Sequence, residues 1–491
     1  MVPNIFVMTD DQHHAACLGC DDRPQVQTPN LDRLASEGVY CRRGYSVSPT
    51  CVPSRCSFLT GQYPHTHGIY GEHPEKKKSN HATHPASTIT LPGYLKQQLG
   101  YTTGIIGKRH FDRFPVEPFD TSTGEIMEGY YNYLKQQGLF ETYQRETIAS
   151  INNMLGYETS IGFEHSEQQW VANTTIDWIN QHGDKPFFLW TNWSDPHPYY
   201  RTAADYPVRY DPDEIDLSQI RNSSAEAERI ARLSFMSDRK GVENIMNRSV
   251  VGEAQYRRTL AHYYGMISAV DHSVGRIVGH LDQQGLLDNT LIIFLSDHGD
   301  FAGEYGMMGK NARGHYDCIF RIPFIWYWRG HFGIERHQGF VRNIDIFPTL
   351  CDLLEIQTPA QVQGESFADV LRWSKSASGP LPDSCETTFF DGVYCKSVRT
   401  RRYQMNVLHA GATYGELFDL QHDPDALNNL YDEPRYAHIR KELTEALLHW
   451  YMRTEQPLTD SPGNHLQTTN RWHRQFTPNL GSDSYRMPAA T

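Results

Sequence analysis

The sequence predicts an α/β fold, with one large domain followed by a smaller one. Three apolar runs, at 4–9, 186–192 and 291–295, have the length and composition of buried strands. Helical patterns lie between them, for example at 170–182 and 256–284. Each run leads into ionisable residues, and open α/β sheets bind ligands at the carboxyl ends of their strands. At 491 residues the chain can bury a sizeable core.

The charge balance argues against two classes of partner. Lys and Arg total 45 and Asp and Glu total 58, which gives a formal net charge of −13. Such a chain is not expected to bind nucleic acid or an anionic membrane through its bulk charge. An anionic substrate therefore needs a local pocket of cationic side chains.

The N-terminal sequence and the cysteine usage predict a reduced, cytoplasmic setting. The chain enters a strand-like run directly, without the features of a signal peptide, and no stretch approaches the ~18 apolar residues of a membrane span. A periplasmic or secreted protein is expected instead if a leader has been trimmed. Nine cysteines are scattered without a dense framework. Cys17 and Cys20 have CxxC spacing but no partner pair for zinc, so we interpret them as structural.

The strand at 4–9 leads directly into Asp10 and Asp11. Two carboxylates at the end of a central strand suit a ligand site. The same two residues are also typical of a helix N-cap followed by an acidic residue in the first turn. The next segment, 28–38, predicts a short helix with Thr28 as its N-cap and Gly38 as its stop.

The stretch from Cys51 to Gly61 predicts a loop that enters a helix. Backbone N–H groups at a helix N-terminus favour an anion, and Arg55 adds a planar cationic fork to that end. From the residues alone, Cys51 is either a buried structural thiol or a low-pKa nucleophile activated by a nearby histidine. The structural thiol is the default interpretation.

Two further strands are predicted to deliver ionisable residues. A helix at 90–100 precedes a strand at 101–107, which ends before Lys108 and His110. The strand at 186–192 leads to His197. Each side chain taken singly is also typical of an ordinary surface or loop group.

The strand at 291–295 leads to Asp297 and His298. Together with Asp10 and Asp11 they make a plausible oxygen-rich metal cage. Because four separate strand ends now carry ionisable side chains, a chance origin for all of them is hard to sustain.

Two segments with poor periodicity, 111–166 and 199–250, are predicted to be insertions, the first containing short helices. Loops of this length near a site usually carry specificity. The run Lys76–Lys78 is interpreted as a solvated loop face.

A stretch rich in Ser, Pro and Gly at 374–384 predicts a domain boundary, so we divide the chain into 1–375 and 376–491. The tail from Pro457 is polar and irregular. The remaining predicted elements are a strand at 320–326, a helix at 343–350 that we give a structural role, strands at 398–407 and 416–420, and a helix at 438–454.

The pentapeptide Cys51-Val52-Pro53-Ser54-Arg55 resembles the C-x-P-S-R signature of the type I sulfatases, which belong to the alkaline phosphatase superfamily. The resemblance extends from residue 4 to about residue 454. The other matching stretches are Asp-Asp-Gln at 10–12, T-P-N-L-D at 28–32, Leu-Thr-Gly at 59–61, G-K-x-H at 107–110, D-P-H at 195–197, Gly-Lys at 309–310 and V-R-x-x-R-Y at 398–403.

The resemblance implies an alkaline-phosphatase-like fold, a mixed sheet flanked by helices with a smaller α+β C-terminal domain. It also implies that a maturation enzyme oxidises Cys51 to formylglycine. In that family one hydroxyl of the hydrated aldehyde attacks sulfur, and the other then loses its proton so that the sulfated adduct collapses. An unmodified Cys51 has no second hydroxyl with which to expel the sulfate.

The resemblance also assigns roles to individual residues. It implies a divalent metal ion at the site, which in that family is usually calcium. Lys108 and Lys310 are implied to bind sulfate oxygens together with Arg55, while His110 and His197 are the candidates for general base and general acid, in either order. The residues that would hold the metal are Asp10, Asp11, Cys51, Asp297 and His298.

Several alternatives stay open. Many sulfatases have Asp-Asn where this chain has Asp297-His298, and Asp-His is shared with phosphonate monoester hydrolases, which makes a phosphonate monoester or phosphodiester hydrolase the competing enzyme. An imidazole is also a softer ligand than an amide, so manganese and zinc are alternatives to calcium. Lys108 and His110 favour sulfate. A binding protein with an unconverted Cys51 is the non-enzymatic alternative.

The substrate is expected to be a small sulfated molecule, either a sugar or an aryl sulfate. The two predicted insertions are rich in Tyr, Trp, Arg and Asn, which would suit a sugar but is also ordinary for surface loops. The oligomeric state does not follow from the sequence.

Overall fold

The structure is a computed structural model of the chain. It describes residues 2–23, 25–70, 87–111, 114, 117–124, 127–151, 156–220, 245–247, 251–310, 314–376, 382, 385–409 and 413–455. Two segments interpreted from the sequence, Lys76–Lys78 and the tail from Pro457, lie outside the described residues.

An eight-stranded mixed sheet forms the centre of the described structure, as expected from the sequence. Its order is β12-β2-β11-β9-β1-β6-β3-β4, and within it β11 alone runs antiparallel to its neighbours. The strands are β1 (Asn4–Asp10), β2 (Val39–Tyr45), β3 (Thr102–Gly107), β4 (Thr121–Ser122), β6 (Phe187–Asn192), β9 (Thr290–Ser296), β11 (Phe324–Tyr327) and β12 (Glu335–Arg342).

Helices cover both faces of this sheet, and alternate residues of β1 show why. Ile5 and Val7 pack into the apolar core on one face, whereas Phe6 and Met8 pack into the core on the other. The first core includes helices α2 (Cys51–Thr60), α4 (Leu91–Leu99), α10 (Ile346–Leu353) and α11 (Ala368–Ser376). The second includes α1 (Pro29–Glu37), α7 (Glu167–His182) and α8 (Glu253–Gln283).

Thr28 is the N-cap residue of α1, as predicted, but its side chain makes no cap hydrogen bond. Instead, Asp271 of α8 accepts hydrogen bonds from the backbone N–H groups of Asn30 and Leu31, at 3.3 and 2.7 Å. The free N–H groups of the helix are therefore satisfied by a neighbouring helix.

Two other predicted elements have different boundaries. Residues 317–320 form a short helix, α9 (Asp317–Phe320), so the strand predicted at 320–326 begins only at Phe324. The strand predicted at 398–407 is two strands, separated by a bend at Arg401 and Arg402.

A second sheet forms the C-terminal region. Its antiparallel strands, β13 (Thr387–Asp391), β14 (Cys395–Thr400), β15 (Tyr403–His409) and β16 (Thr413–Asp419), pair in chain order, and α12 (Ala437–Thr454) packs on them. Asp391 at the end of β13 accepts hydrogen bonds from the backbone N–H and from Nδ1 of His65, both at 2.7 Å. His65 lies in α3 (Pro64–His67), which follows α2, and its Nε2 lies 2.7 Å from Thr454 Oγ1. The C-terminal sheet and helix thus contact α3, the segment that directly follows α2.

The two predicted insertions meet each other. The first contains α5 (Glu128–Gln136), α6 (Phe140–Ile151) and β5 (Tyr157–Thr159), and β5 pairs in parallel with β7 (Arg201–Ala203) of the second. Two short strands, β8 (Ile245–Asn247) and β10 (Met307–Gly309), form a further antiparallel pair. Within the described residues, no helix has the length and hydrophobicity required to cross a bilayer.

Candidate active site

Four neighbouring strands carry the candidate site at one edge of the main sheet. The strands β9, β1, β6 and β3 are adjacent and parallel, so their carboxyl ends meet at the same edge. Asp10 and Asp11 follow from β1, Asp297 and His298 from β9, and Lys108 from β3. The convergence expected from the sequence is therefore present.

Cys51 is the first residue of α2. The helix therefore begins at the start of the stretch in which a loop was predicted. Proline is tolerated in the first turn because the N–H that it lacks has no partner within the helix. Ser54 fixes this end of the helix to the sheet, since its hydroxyl donates a hydrogen bond to the Asp297 carbonyl at 2.5 Å. The amide of Asn343 donates to the same hydroxyl at 3.0 Å. The positive end of the helix consequently lies at the strand ends.

The side chain of Cys51 is surrounded by ionisable groups and is itself buried. Its Sγ lies 3.2 Å from His298 Nε2, 3.0 Å from Lys310 Nζ and 3.6 Å from Asp11 Oδ1. Lys310 Nζ also lies 3.1 Å from His298 Nε2 and 3.5 Å from Nε2 of the half-buried His197. These contacts bring Cys51, Lys310 and His197 together.

Arg55 lies one helical turn after Cys51 and binds both acidic strand ends. Its Nε donates to Asp297 at 2.8 Å, and its Nη2 lies 3.3 Å from Asp11. Its Nη1 donates to the side-chain oxygen of Asn192, the last residue of β6, at 2.7 Å. The guanidinium fork thus connects β9, β1 and β6.

Lys108 completes the cationic side of the site. Its ammonium donates a hydrogen bond to Asp11. Burial alone would raise the pKa of the Asp11 carboxyl, but the neighbouring cations, led by Lys108, hold it well below its usual range. The preceding Gly107 has φ +83°, and a Cβ there would meet the Asn192 carbonyl oxygen at 1.8 Å. A glycine is therefore required to bring Lys108 to this position.

The acidic residues fit a divalent cation. Among the described residues, the ligand atoms of Asp11, Cys51, Asp297 and His298 lie within 4.8 Å of one another, and all four residues are buried. Burial and the adjacent Asp11 raise the pKa of the Asp297 carboxyl to about 7. Two carboxylates in such proximity repel each other, and a bound cation would relieve that repulsion.

Asp10 lies outside this four-residue group. Its Oδ2 contacts His13 Nδ1 at 2.6 Å, while its buried Oδ1 has no hydrogen-bond partner. An unpartnered carboxylate oxygen suits a metal ligand, because buried polar atoms are otherwise nearly always satisfied. The assignment of Asp10 to the metal stays a prediction. So does the role of His110, which is half-buried two residues beyond Lys108.

Some residues of the site were missed by sequence reasoning. His13 contacts Asp10, and its Nε2 lies 2.9 Å from the Cys17 carbonyl oxygen. The backbone N–H of Gln12 donates to Asp297 at 3.2 Å. Both residues directly follow the acidic pair, and this proximity was the available signal. Asn192 is the last residue of the strand predicted at 186–192, and its contact with Arg55 was not predicted.

The chain is similar to several known proteins. The family model described as Sulfatase matches residues 4–356, and the model described as N-sulphoglucosamine sulphohydrolase, C-terminal, matches residues 303–453. The multifunctional alkaline phosphatase superfamily protein PehA of Trinickia caryophylli is 27% identical over 498 residues, covering 92% of this chain and 94% of that protein. An arylsulfatase of Clostridium perfringens is 27% identical over 493 residues, covering 95% and 97%. The solved phosphonate monoester hydrolase of Silicibacter pomeroyi is similar in fold, with a TM-score of 0.77 at 21% identity over 93% of this chain and 97% of that one.

Proposed function

Because this chain belongs to the sulfatase family of hydrolases, we propose that it hydrolyses a sulfate monoester at the position of residue 51. The observation that carries the proposal is the contact of Lys310 with Cys51 at a helix N-terminus, with Lys108 and Arg55 bound to the adjacent Asp11. In a chain of net charge −13, this is the local cationic pocket that a sulfate group requires.

We propose that residue 51 acts as formylglycine, whose hydrated aldehyde would supply the nucleophile. The helix N-terminus and Lys310 are suited to stabilise negative charge at this position, since Lys310 Nζ lies 3.0 Å from Sγ. Arg55 and Lys108 are suited to neutralise the remaining sulfate oxygens. All three cations are buried, so their charges are weakly screened.

We propose that Asp10, Asp11, residue 51, Asp297 and His298 hold one divalent metal. When bound, the ion would supply Lewis-acid polarisation of a sulfate oxygen and lower the pKa of the hydrated aldehyde. Carboxylate oxygens favour calcium, and the imidazole of His298 keeps manganese and zinc as alternatives.

We propose that His197 exchanges a proton at the reacting group, as general base or general acid. Its Nδ1 lies 2.7 Å from the Pro198 carbonyl oxygen, so Nδ1 carries the hydrogen and donates it. Its Nε2 is then the acceptor that faces Lys310 Nζ. Burial and the charges of Lys108 and Lys310 hold the pKa of His197 well below its usual range, so Nε2 carries no proton and is suited to accept one.

The first experiment tests the modification and the activity together. Protein from a host with a formylglycine-generating enzyme should lose one sulfur and two hydrogens and gain one oxygen at residue 51, as read by intact-mass and peptide mass spectrometry. The converted protein should hydrolyse 4-nitrophenyl sulfate, and Cys51→Ala should not. An unshifted mass with no turnover would favour a binding protein instead.

Phosphonate monoester hydrolysis is the second candidate, because His298 rather than an amide lies beside Cys51. Sulfate and phosphonate esters share tetrahedral geometry and differ mainly in charge. Parallel measurement of kcat/KM on 4-nitrophenyl sulfate and on a 4-nitrophenyl phosphonate monoester separates the two. A preference for the phosphonate would overturn our assignment.

A further inference from the structure

The carboxyl group of Asp300 is completely buried and accepts four hydrogen bonds. Its Oδ1 accepts from the backbone N–H groups of Ala302 and Gly309, at 2.5 and 3.0 Å. Its Oδ2 accepts from the side-chain amide of Gln12 at 2.5 Å and from the hydroxyl of Tyr200 at 3.3 Å. Because a carboxylate offers about four lone-pair sites, its hydrogen-bonding capacity is fully used.

The donors belong to three segments of the chain, and each segment carries one residue of the candidate site. Gly309 directly precedes Lys310, Gln12 directly follows Asp11, and Tyr200 lies three residues beyond His197. Asp300 therefore connects the segments that bring these three side chains together. A group that binds all three segments can fix where they lie relative to one another.

The backbone between Asp300 and Lys310 has an unfavourable conformation. Ala302 and Tyr305 have φ of +42° and +58°, which is uncommon for residues with a side chain. Gly309 has φ +95°, a value that favours glycine. Such conformations persist where the surrounding contacts impose them. At the Lys310 end, those contacts include the hydrogen bond from Gly309 to Asp300.

Gln12 provides a fixed reference at the end of β1. Its backbone N–H donates to Asp297 at 3.2 Å, and its carbonyl accepts from the Tyr263 hydroxyl at 2.9 Å. These backbone contacts hold Gln12 independently of Asp300. The bond between its amide and the Asp300 carboxyl group therefore transmits the position of β1 to Gly309.

The ammonium of Lys310 depends on this placement. Its Nζ lies 3.0 Å from Cys51 Sγ, 3.1 Å from His298 Nε2 and 3.5 Å from His197 Nε2. Contacts of this length weaken steeply with distance. A displacement of the preceding backbone by about 1 Å would consequently cost the cation much of its effect on the reacting group.

We propose that Asp300 is a positioning residue for Lys310, setting the ammonium against residue 51 through the hydrogen bond to Gly309. The inference rests on the proposed function and deepens it, because it identifies the group that places this cation at the reacting sulfate. Asp300 itself touches no reacting atom and acts through Lys310.

The test measures kcat/KM for 4-nitrophenyl sulfate with the formylglycine form of each variant. Asp300→Ala removes both acceptor atoms and should lower kcat/KM by about 10- to 100-fold, the cost of a misplaced catalytic group. Asp300→Asn should stay within about threefold of the wild-type value, since its Oδ1 still accepts from Gly309 and the Gln12 amide can turn its oxygen toward the new Nδ2. An equal loss in both variants would contradict positioning by these hydrogen bonds.

A double-mutant cycle with Lys310 separates positioning from a general structural effect. In the Lys310→Met background, Asp300→Ala should change kcat/KM by less than about threefold, because the side chain that Asp300 positions is absent. Losses that multiply would show that Asp300 acts independently of Lys310 and would overturn the proposal.

Asp271→Ala is the matched control. Asp271 is also buried, at 2% exposed, and accepts three hydrogen bonds from Asn30 and Leu31 at the start of α1. The variant should lower stability in urea unfolding and leave kcat/KM within about threefold of the wild-type value. A loss of kcat/KM as large as that of Asp300→Ala would assign the effect to destabilisation and refute the positioning role.

Gln12→Met is the second variant, for the case that Asp300→Ala does not fold. It removes one of the four donors and keeps the backbone contacts of Gln12. We expect kcat/KM to fall by about 3- to 10-fold when Lys310 is present and to stay unchanged in the Lys310→Met background. No loss, or the same loss in both backgrounds, would count against the proposal.

A binding experiment separates this inference from the proposed activity. Calorimetry with inorganic sulfate should show that Asp300→Ala weakens binding by about tenfold, and that it weakens binding no further in the Lys310→Met background. This coupling in a protein that hydrolyses no sulfate ester would support the positioning role and refute the proposed reaction. Turnover of 4-nitrophenyl sulfate with losses that multiply would support the reaction and refute the positioning role. A wild-type protein with neither sulfate binding nor turnover would overturn both.

Discussion

Replacing Arg55 by methionine should destabilise the metal-free protein strongly. Arg55 is 1% exposed and makes four hydrogen bonds, to Asp297, Asp11, Asn192 and the Lys108 carbonyl. Methionine fills much of the same volume but leaves two buried carboxylates without this partner. Removing one member of a buried charge pair typically costs about 3–5 kcal/mol, so we expect a loss of that size in the free energy of unfolding.

The magnitude should depend on the metal. A divalent cation held by Asp11 and Asp297 neutralises the same carboxylates, so the loss in excess Ca²⁺ should be smaller than the loss in EGTA. Urea unfolding followed by circular dichroism under both conditions measures the difference. Arg372→Met is the control, because Arg372 is half exposed and its nearest carboxylate, on Asp369, is 3.5 Å away. It should change stability by less than about 1 kcal/mol. An equal loss with and without Ca²⁺ would show that Arg55 and the metal do not share these carboxylates.

Three further outcomes follow from other contacts. Lys310→Met should lower kcat/KM for 4-nitrophenyl sulfate by about 10²- to 10³-fold, and a loss below tenfold would contradict its role at the reacting group. His13→Gln should weaken Ca²⁺ binding by about 10- to 100-fold in calorimetry, because His13 orients Asp10; an unchanged Kd would remove Asp10 from the ligands. Burial raises the pKa of Asp271 from 3.8 to about 6, so the folded state binds the proton more tightly and stability falls as pH rises between these values. Asp271→Asn should reduce that fall in urea unfolding measured across this pH range without abolishing it, because burial raises the pKa of Asp300 to about 6 as well. An unaltered profile would show that Asp271 does not contribute.

The site was accessible to sequence reasoning because parallel strands place their ends together. Asp11, Lys108 and Asp297 are far apart in the chain, yet each follows a recognisable buried strand. Once the strands are assigned to one parallel sheet, their meeting is a geometric consequence.

Contacts that depend on packing between distant elements were not accessible. The side chain that caps α1 is Asp271, 240 residues beyond Leu31. The local sequence instead favours Thr28, a residue type that commonly caps helices and stands at the N-cap position. The pairing of β5 with β7 involves three residues on each side, too few for a period to be read. The contact between the two insertions therefore emerged only with the structure. The domain division at residue 375 stays a prediction.

The contact between His65 and Asp391 has a consequence for how the molecule holds together. The backbone and ring of His65, a few residues beyond the end of α2, depend on a carboxylate from β13 and lie against the hydroxyl of Thr454 in the final described helix. A fragment ending near residue 375 would lose both partners, and the ring of His65 would also lose its contacts with Trp450 and Tyr451. The reaction centre and the C-terminal sheet should consequently melt in a single cooperative transition, and neither half should be recoverable as an independent module.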